Sequence, residues 1–370
     1  MHRTLRAIGG SAAALLVGAT LLAACSSNNS SSTTTTGAGG NIHSSTNTGP
    51  NTPAPKPLAT MTNVTLTVPA KVESFAAPIV AQMDGEFTKE NLNVTIELDP
   101  GGAASEPQEL AQGTAQVTET GLNAGTLNAI SQGVGLRYVG YPYTYQAGDK
   151  EGFWVDKTFL NKNGTFNKSM LSTFKITLGT AGVASASALP VQQWLQKSGV
   201  SLSQLSITNL SGAALVTALQ NGAVQGAYAL SPYYQPLLTD NRFVLVTPTP
   251  LATGVFEMSN QFISSQPLVA QAIMRALIRT DRTELAPGYR NNTAVMGIIS
   301  TWLGVPVSSV DNNPPVVFST DMGTAALGPL LTGVQQMWIS LGGVLAYTKP
   351  LTVEQAVNPS VVNAVLAATS

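Results

Sequence analysis

Cysteine and histidine are almost missing from this chain of 370 residues. The single cysteine, Cys25, excludes an intrachain disulfide. The two histidines, His2 and His43, both precede the segments with folding patterns, so a Ser-His-Asp triad or a His-ligated zinc site is excluded downstream of them. Charge is scarce as well: Asp, Glu, Lys and Arg make up 10% of the residues, against about 25% in ordinary domains. With 18 basic and 19 acidic residues there is no basic surplus to face a nucleic acid. Asn, Gln, Ser and Thr supply the polar surface instead, which suggests adaptation to an acidic medium, where carboxylates lose their charge. Beyond the N-terminal segment no run of 18 apolar residues occurs, so no transmembrane helix is expected.

The N-terminus is informative. Arg3 and Arg6 precede an apolar stretch over residues 12–22, too short to span a bilayer and of the right kind for a secretory signal. Leu22-Ala23-Ala24-Cys25, followed by serines, resembles the lipobox of bacterial lipoproteins. That resemblance implies cleavage before Cys25 and palmitate-type lipidation of its sulfur, which anchors the chain to the outer face of the cell membrane. Loss of Arg3 and Arg6 would leave 16 basic against 19 acidic residues. Residues 26–57 are Ser, Thr, Asn, Gly and Pro, too polar to fold, and read as a flexible tether.

From residue 61 onward, strand and helix patterns alternate. Strands are expected over 64–69, 94–98, 115–119 and 136–140, with helices over 76–91, 106–112 and 122–131 between them: the rhythm of a parallel sheet. After a loop with Tyr141, Tyr143 and Tyr145 the rhythm restarts. Strands are expected at 174–178, 205–209, 223–229 and 243–246, and helices from Ser185 or Ser187 to Lys197 and over 213–221. Helices then dominate, at 267–285, 293–303, 325–341 and 359–368. The division expected is a signal peptide (1–24), a tether (25–60), the first part of lobe 1 (61–144), lobe 2 (145–250), and a return to lobe 1 with C-terminal helices (251–370).

Four stretches carry a family resemblance. They are Ala81-Gln82-Met83-Asp84-Gly85-Glu86-Phe87 continuing to Val94; Glu109-Leu110-Ala111-Gln112-Gly113; Gly179-Thr180-Ala181-Gly182 before a helix; and Ala218-Leu219-Gln220-Asn221-Gly222-Ala223-Val224 followed by Ser231-Pro232-Tyr233. Together they resemble the nitrate, sulfonate, taurine and thiamine-precursor family of ABC transporter substrate-binding proteins. That resemblance implies an α/β, two-lobe type II periplasmic-binding-protein fold with a helical C-terminal segment. Gln116 and Gln225 stand where the family usually has Asp.

In such sheets ligands sit beyond the carboxyl ends of strands. The residues just past each strand are therefore the candidate ligand contacts: Ser74, Phe75, Gly102, Ala103, Thr120, Asn123, Tyr143, Tyr145, Ser185, Ser187, Ser231 and Tyr233. Free amides at the helix start near Ser185 and Ser187 suit an electronegative ligand group, or these serines only cap the helix. The tyrosines suit a planar or aliphatic ligand body. Glu119 and Glu257 either meet a cationic ligand group or sit on the surface, and Trp154 and Trp194 read as core. Hinges are expected near 144–152 and 248–254.

The expectation is a non-catalytic monomer that delivers a small organic molecule (sulfonate-, nitrate- or thiamine-precursor-like) to an ABC permease. It needs no cofactor and no metal and binds no nucleic acid. A sensor or surface lipoprotein on the same fold is the alternative. A secreted serine hydrolase is a remote one, resting on Ser172-Thr173-Phe174-Lys175.

Overall fold

Residues 56–99, 101–249 and 253–369 are described by a computed structural model, and all of them fall within one unit, Thr52–Ser370. Cys25, the signal segment and nearly all of the tether lie outside the described residues.

The first lobe is built on a five-stranded sheet in the order β2-β1-β3-β11-β4. Its strands are β1 (Thr62–Val68), β2 (Leu92–Leu98), β3 (Val117–Gly121), β4 (Leu136–Gly140) and β11 (Gly254–Ser259). Alternation forms β1: Val64, Leu66 and Val68 point to one face and are buried. β1 pairs in parallel with β2 from Thr62↔Leu92 to Val68↔Leu98. Helices α1 (Ala77–Met83), α2 (Glu106–Gln112) and α3 (Ala124–Ser131) make the crossovers. The long helix expected over 76–91 is shorter: Gly85 at φ +73° breaks it, and a separate 3-10 turn, Thr88–Glu90, follows.

The second lobe has the order β10-β6-β9-β7-β8. The strands are β6 (Gly152–Asp156), β7 (Lys175–Thr177), β8 (Ser206–Ile207), β9 (Gly226–Ala229) and β10 (Phe243–Pro248), and a two-residue β5 (Tyr143–Thr144) precedes them. Helices α4 (Ala188–Gln196), α5 (Gly212–Gln220) and α6 (Gln235–Thr239) belong to this part. Trp154 and Trp194 are buried core residues, as their neighbourhood suggested.

The purely parallel reading needs correction. β11 runs antiparallel to both β3 and β4 and lies between them, and β6 runs antiparallel to β9 and β10. The chain thus crosses to the second lobe before β6 and returns before β11. Neither strand alternates, because both are buried on two faces, so period-2 patterning cannot reveal them.

After β11 come α7 (Asn260–Ser265), α8 (Pro267–Thr283), α9 (Thr293–Leu303), α10 (Val307–Asp311), the short strand β12 (Val317–Phe318), α11 (Leu327–Leu341), α12 (Val353–Ala356) and α13 (Ser360–Thr369). Helix α8 carries a buried face and an ion cluster. Arg275 Nε donates to Glu90 Oε2 at 3.0 Å, Arg279 Nη1 to Glu90 Oε1 at 2.7 Å, and Arg279 also pairs with Glu86. Breaking such a buried pair costs about 3–5 kcal/mol, because the remaining charge has no partner. The cluster pins α8 to the turn before β2.

Candidate functional site

Between the two sheets lies a cavity of about 130 Å³. Its position follows from chain direction: the segments after β1, β3, β7 and β9 all end on it. Phe75, Gly102, Thr120 and Asn123 line it from the first lobe; Ser185, Ser187 and Tyr233 line it from the second. Tyr143 and Tyr145, where the chain crosses between lobes, form an aromatic wall with Phe75. Their ring centroids are 6.3 Å (Phe75–Tyr143) and 5.6 Å (Tyr143–Tyr145) apart, both edge to face.

Three candidates stand elsewhere. Ser74 is buried beside Tyr143 and Tyr145 but does not line the cavity. Ser231 is drawn into a network: its hydroxyl donates to Glu73 Oε2 at 2.8 Å and accepts from Asn313 Nδ2 at 2.7 Å, and its amide donates to Glu151 Oε1 at 2.8 Å. Ala103 is in the same 3-10 turn as Gly102. Glu119 and Glu257 are not on the surface: both are fully buried in the first lobe. Thr120 lines the cavity, so strand alternation points its neighbour Glu119 to the other face of the sheet.

Lining residues not singled out from the sequence include Tyr228, Thr249 and Thr253. Tyr228 bonds Thr249 Oγ1 at 2.6 Å, which ties β9 to the return crossover. Thr249 follows β10, a strand the sequence did suggest, whereas Thr253 precedes β11, which period-2 reading could not show.

The serines at α4 do not cap it. Ser187 holds the N-cap position, but its hydroxyl bonds Ser185 Oγ at 2.8 Å and Leu178 O at 3.3 Å. Ser211 likewise occupies the α5 N-cap without a side-chain cap bond. The first amides of α4, on Ala188 and Leu189, donate to the carbonyls of Ser185 and Ala186 at 3.0 Å, so the free amides expected there are not found, although a helix start still carries about half a positive charge. Both starts border the cavity. Asn123, by contrast, does cap its helix: Oδ1 accepts from Thr126 N at 2.9 Å.

No Asp, Glu, Lys, Arg, His or Cys is among the described lining residues. Burial pushes the phenols of Tyr143, Tyr145 and Tyr228 up, so they remain protonated donors. Such a surface solvates a small molecule by neutral hydrogen bonds and ring contact.

The lobes touch on more than one side of the cavity. Ala186 N donates to Leu122 O at 3.0 Å, and Asn123 and Ser185 form an isolated antiparallel bridge. Tyr233 OH donates to Lys71 O at 2.8 Å. Trp338 on α11 donates to Val183 O at 2.7 Å, so the C-terminal helices reach the second lobe as well as the first.

Residues 152–298 match the NMT1-like family. The NMT1-like stretch spans the second lobe, the return strand β11 and most of the first helices after it. Among solved structures, the alkanesulfonate-binding protein SsuA from Xanthomonas axonopodis pv. citri, bound to MOPS, aligns at 18% identity over 81% of this chain and 99% of its own, with a TM-score of 0.61. The periplasmic nitrate-binding protein NrtA from Synechocystis PCC 6803 aligns at 12% identity over 83% and 89%, with a TM-score of 0.61. The desulfurization enzyme DSZB also aligns, at 12% identity over 83% and 100%, with a TM-score of 0.53. No curated protein matches the chain significantly. The fold is thus the two-lobe periplasmic-binding-protein fold anticipated from the sequence motifs. That fold hosts both binding proteins and an enzyme, so function has to be argued from the site.

Proposed function

We propose that this protein is an extracytoplasmic solute-binding protein that closes two lobes on a small organic molecule and presents it to an ABC importer. The observation that carries the proposal is the cavity itself. Its lining comes from both lobes and from the crossovers, and it combines aromatic walls, helix starts and neutral hydroxyls. The lobe contacts at Leu122–Ala186 and Lys71–Tyr233 have to part for a solute to enter, which is the hinge motion of this architecture. A binding role is further supported by the state of the serines. The Ser185 and Ser187 hydroxyls are bonded to each other rather than to a base, and Ser172 and Lys175 of the hydrolase motif do not border the cavity. Lipid attachment at Cys25 would keep the protein at the membrane beside a permease.

A thermal-shift screen of the full chain against organic sulfonates, amines and heterocycles tests this reading. A solute at about 100 times its dissociation constant adds roughly 2.7 kcal/mol of stability. Replacing Tyr143 or Tyr233 by Ala should remove that gain. Turnover of any bound compound would overturn the binding role.

A further inference from the structure

The cavity lacks a charged side chain on its surface, yet a buried charge-bearing group stands just behind it. Most carboxylates that this fold buries near a cation are paired: Glu73 with Arg290, Glu86 with Lys89 and Arg279, and Glu90 with Arg275 and Arg279. Glu106, at the first position of α2, is fully buried and has no such partner among the described residues. Its Oε2 accepts from Asn123 Nδ2 at 3.3 Å, whereas Oε1 has no hydrogen-bond partner. The charged groups felt at Glu106 are all acids: Glu257, Asp99 and Glu109.

The geometry around Oε1 points to the cavity. A side chain at Gly102 would place its Cβ 3.8 Å from Glu106 Oε1, and 3.5 Å from both Pro69 Cβ and Thr180 Oγ1. Pro69, Gly102 and Thr180 all line the cavity, from opposite lobes. The missing side chain at 102 leaves a methyl-sized space between Glu106 Oε1 and residues that line the cavity from both lobes. Glu151 also keeps one unpartnered oxygen, Oε2, and lies near Tyr145, while Glu257 is bonded by Thr126 and Glu119 lies near Asp281. Of these carboxylates, only that of Glu106 is among the nearest atoms to the missing Cβ of a cavity-lining glycine.

We propose that the solute carries a basic nitrogen and that Glu106, reached through the gap at Gly102, is the specificity-determining residue that pairs with it. This assignment rests on the solute-binding reading above. An ion taken out of water without a counter-charge costs several kcal/mol, and a ligand ammonium supplies that counter-charge. The tyrosine wall favours the same class, since aromatic faces attract cations. Burial, followed by the nearby Glu257, pushes the Glu106 carboxyl well above the usual range, against a smaller opposing effect of the Thr120 hydroxyl. The carboxyl thus favours its protonated form more than an ordinary glutamate does, and an ammonium beside it would favour release of that proton.

Three probes that share a benzyl group and differ in head charge provide the test: benzylamine, benzyl alcohol and phenylmethanesulfonate. Affinity for the full chain at pH 7 is measured by calorimetry in two buffers of different ionisation enthalpy, which reports proton release. Benzylamine should bind about tenfold or more tighter than the alcohol, with proton release, and the sulfonate should be weakest. Glu106→Gln should remove the proton release and the preference for the amine, while leaving the alcohol within about twofold. Gly102→Ala places a methyl beside Oε1, at a backbone φ of +48° that a side chain strains, and should weaken benzylamine more than benzyl alcohol; it serves if Glu106→Gln fails to fold. Tighter binding of the sulfonate, or an amine affinity unchanged in both variants, overturns the assignment. If none of the probes binds but the wider solute screen yields a ligand without a basic nitrogen, this assignment falls and the solute-binding reading stands. If neither screen yields a ligand, both fall.

Discussion

Raising the pH should destabilise this protein, and Glu257 shows why. Its carboxyl is fully buried on β11, and its hydrogen-bond donor is the Thr126 hydroxyl, at 2.9 Å from Oε2. Burial pushes it up from an ordinary 4.5 to about 8. Between those values the folded protein holds a proton that the unfolded chain has released. The unfolded state then binds fewer protons, so stability falls with rising pH. The contribution is fully present below about 4.5 and lost as the pH climbs toward 8. At about 1.4 kcal/mol per pH unit, the loss amounts to roughly 5 kcal/mol, a large part of a typical 5–15 kcal/mol total. Glu106, Glu119, Glu151 and Asp281 are also pushed up, in each case first by burial, and they act in the same direction. Glu86 and Glu90 act in the opposite direction. Burial raises them, but hydrogen bonds from Lys89 and the arginines outweigh it and hold both below the usual range. Their contribution is present above 4.5 and lost as the pH falls through their folded values. Stability should therefore peak on the acid side of neutrality. Urea unfolding followed by tryptophan fluorescence at pH 4.5, 6 and 8 measures this, and Glu257→Gln should flatten the profile. A midpoint at pH 8 equal to or above that at pH 4.5 would refute the reasoning, as would an unchanged slope in Glu257→Gln.

Other expectations concern single contacts. A Cβ at Gly254 would sit 2.3 Å from the Tyr143 ring, so Gly254→Ala should cost about 1–3 kcal/mol in urea unfolding and weaken solute binding by displacing that ring. Glu90→Ala leaves Arg275 buried without its carboxylate and should cost about 3–5 kcal/mol in thermal denaturation. Trp338→Phe removes the bond to Val183 O and should cost about 1 kcal/mol, with faster amide exchange around residues 183–186. Cys25→Ala should move the protein from the membrane to the soluble fraction, because one lipidated residue is its expected anchor.

Much of the candidate site was legible because parallel βα units put their loops at one end. Phe75, Thr120, Asn123, Tyr143 and Ser185 follow strands or expected strands, and they line one cavity. Ser231 follows β9 too, but its hydroxyl is taken by Glu73 and Asn313, a pairing across 158 and 82 positions that no local pattern reveals. From the sequence, Glu106 stands out only as the start of the helix expected over 106–112. Its lack of a cation became visible only when the neighbours were known. Glu119 and Glu257 suggested surface residues because charged side chains are seldom buried, and burial is a property of the packed lobe rather than of the sequence window.

Local chemistry, read along the chain, settled the alternation of βα units, the absence of histidine chemistry after His43 and the scarcity of charge. Each follows from the order of residues alone. Tertiary structure decided where β6 and β11 run, which carboxylates meet an arginine, and which are sealed without one. Those outcomes depend on segments distant in the sequence coming into contact, and for the carboxylates the cost of desolvating a charge, rather than the preference of any short stretch, governs what each side chain does.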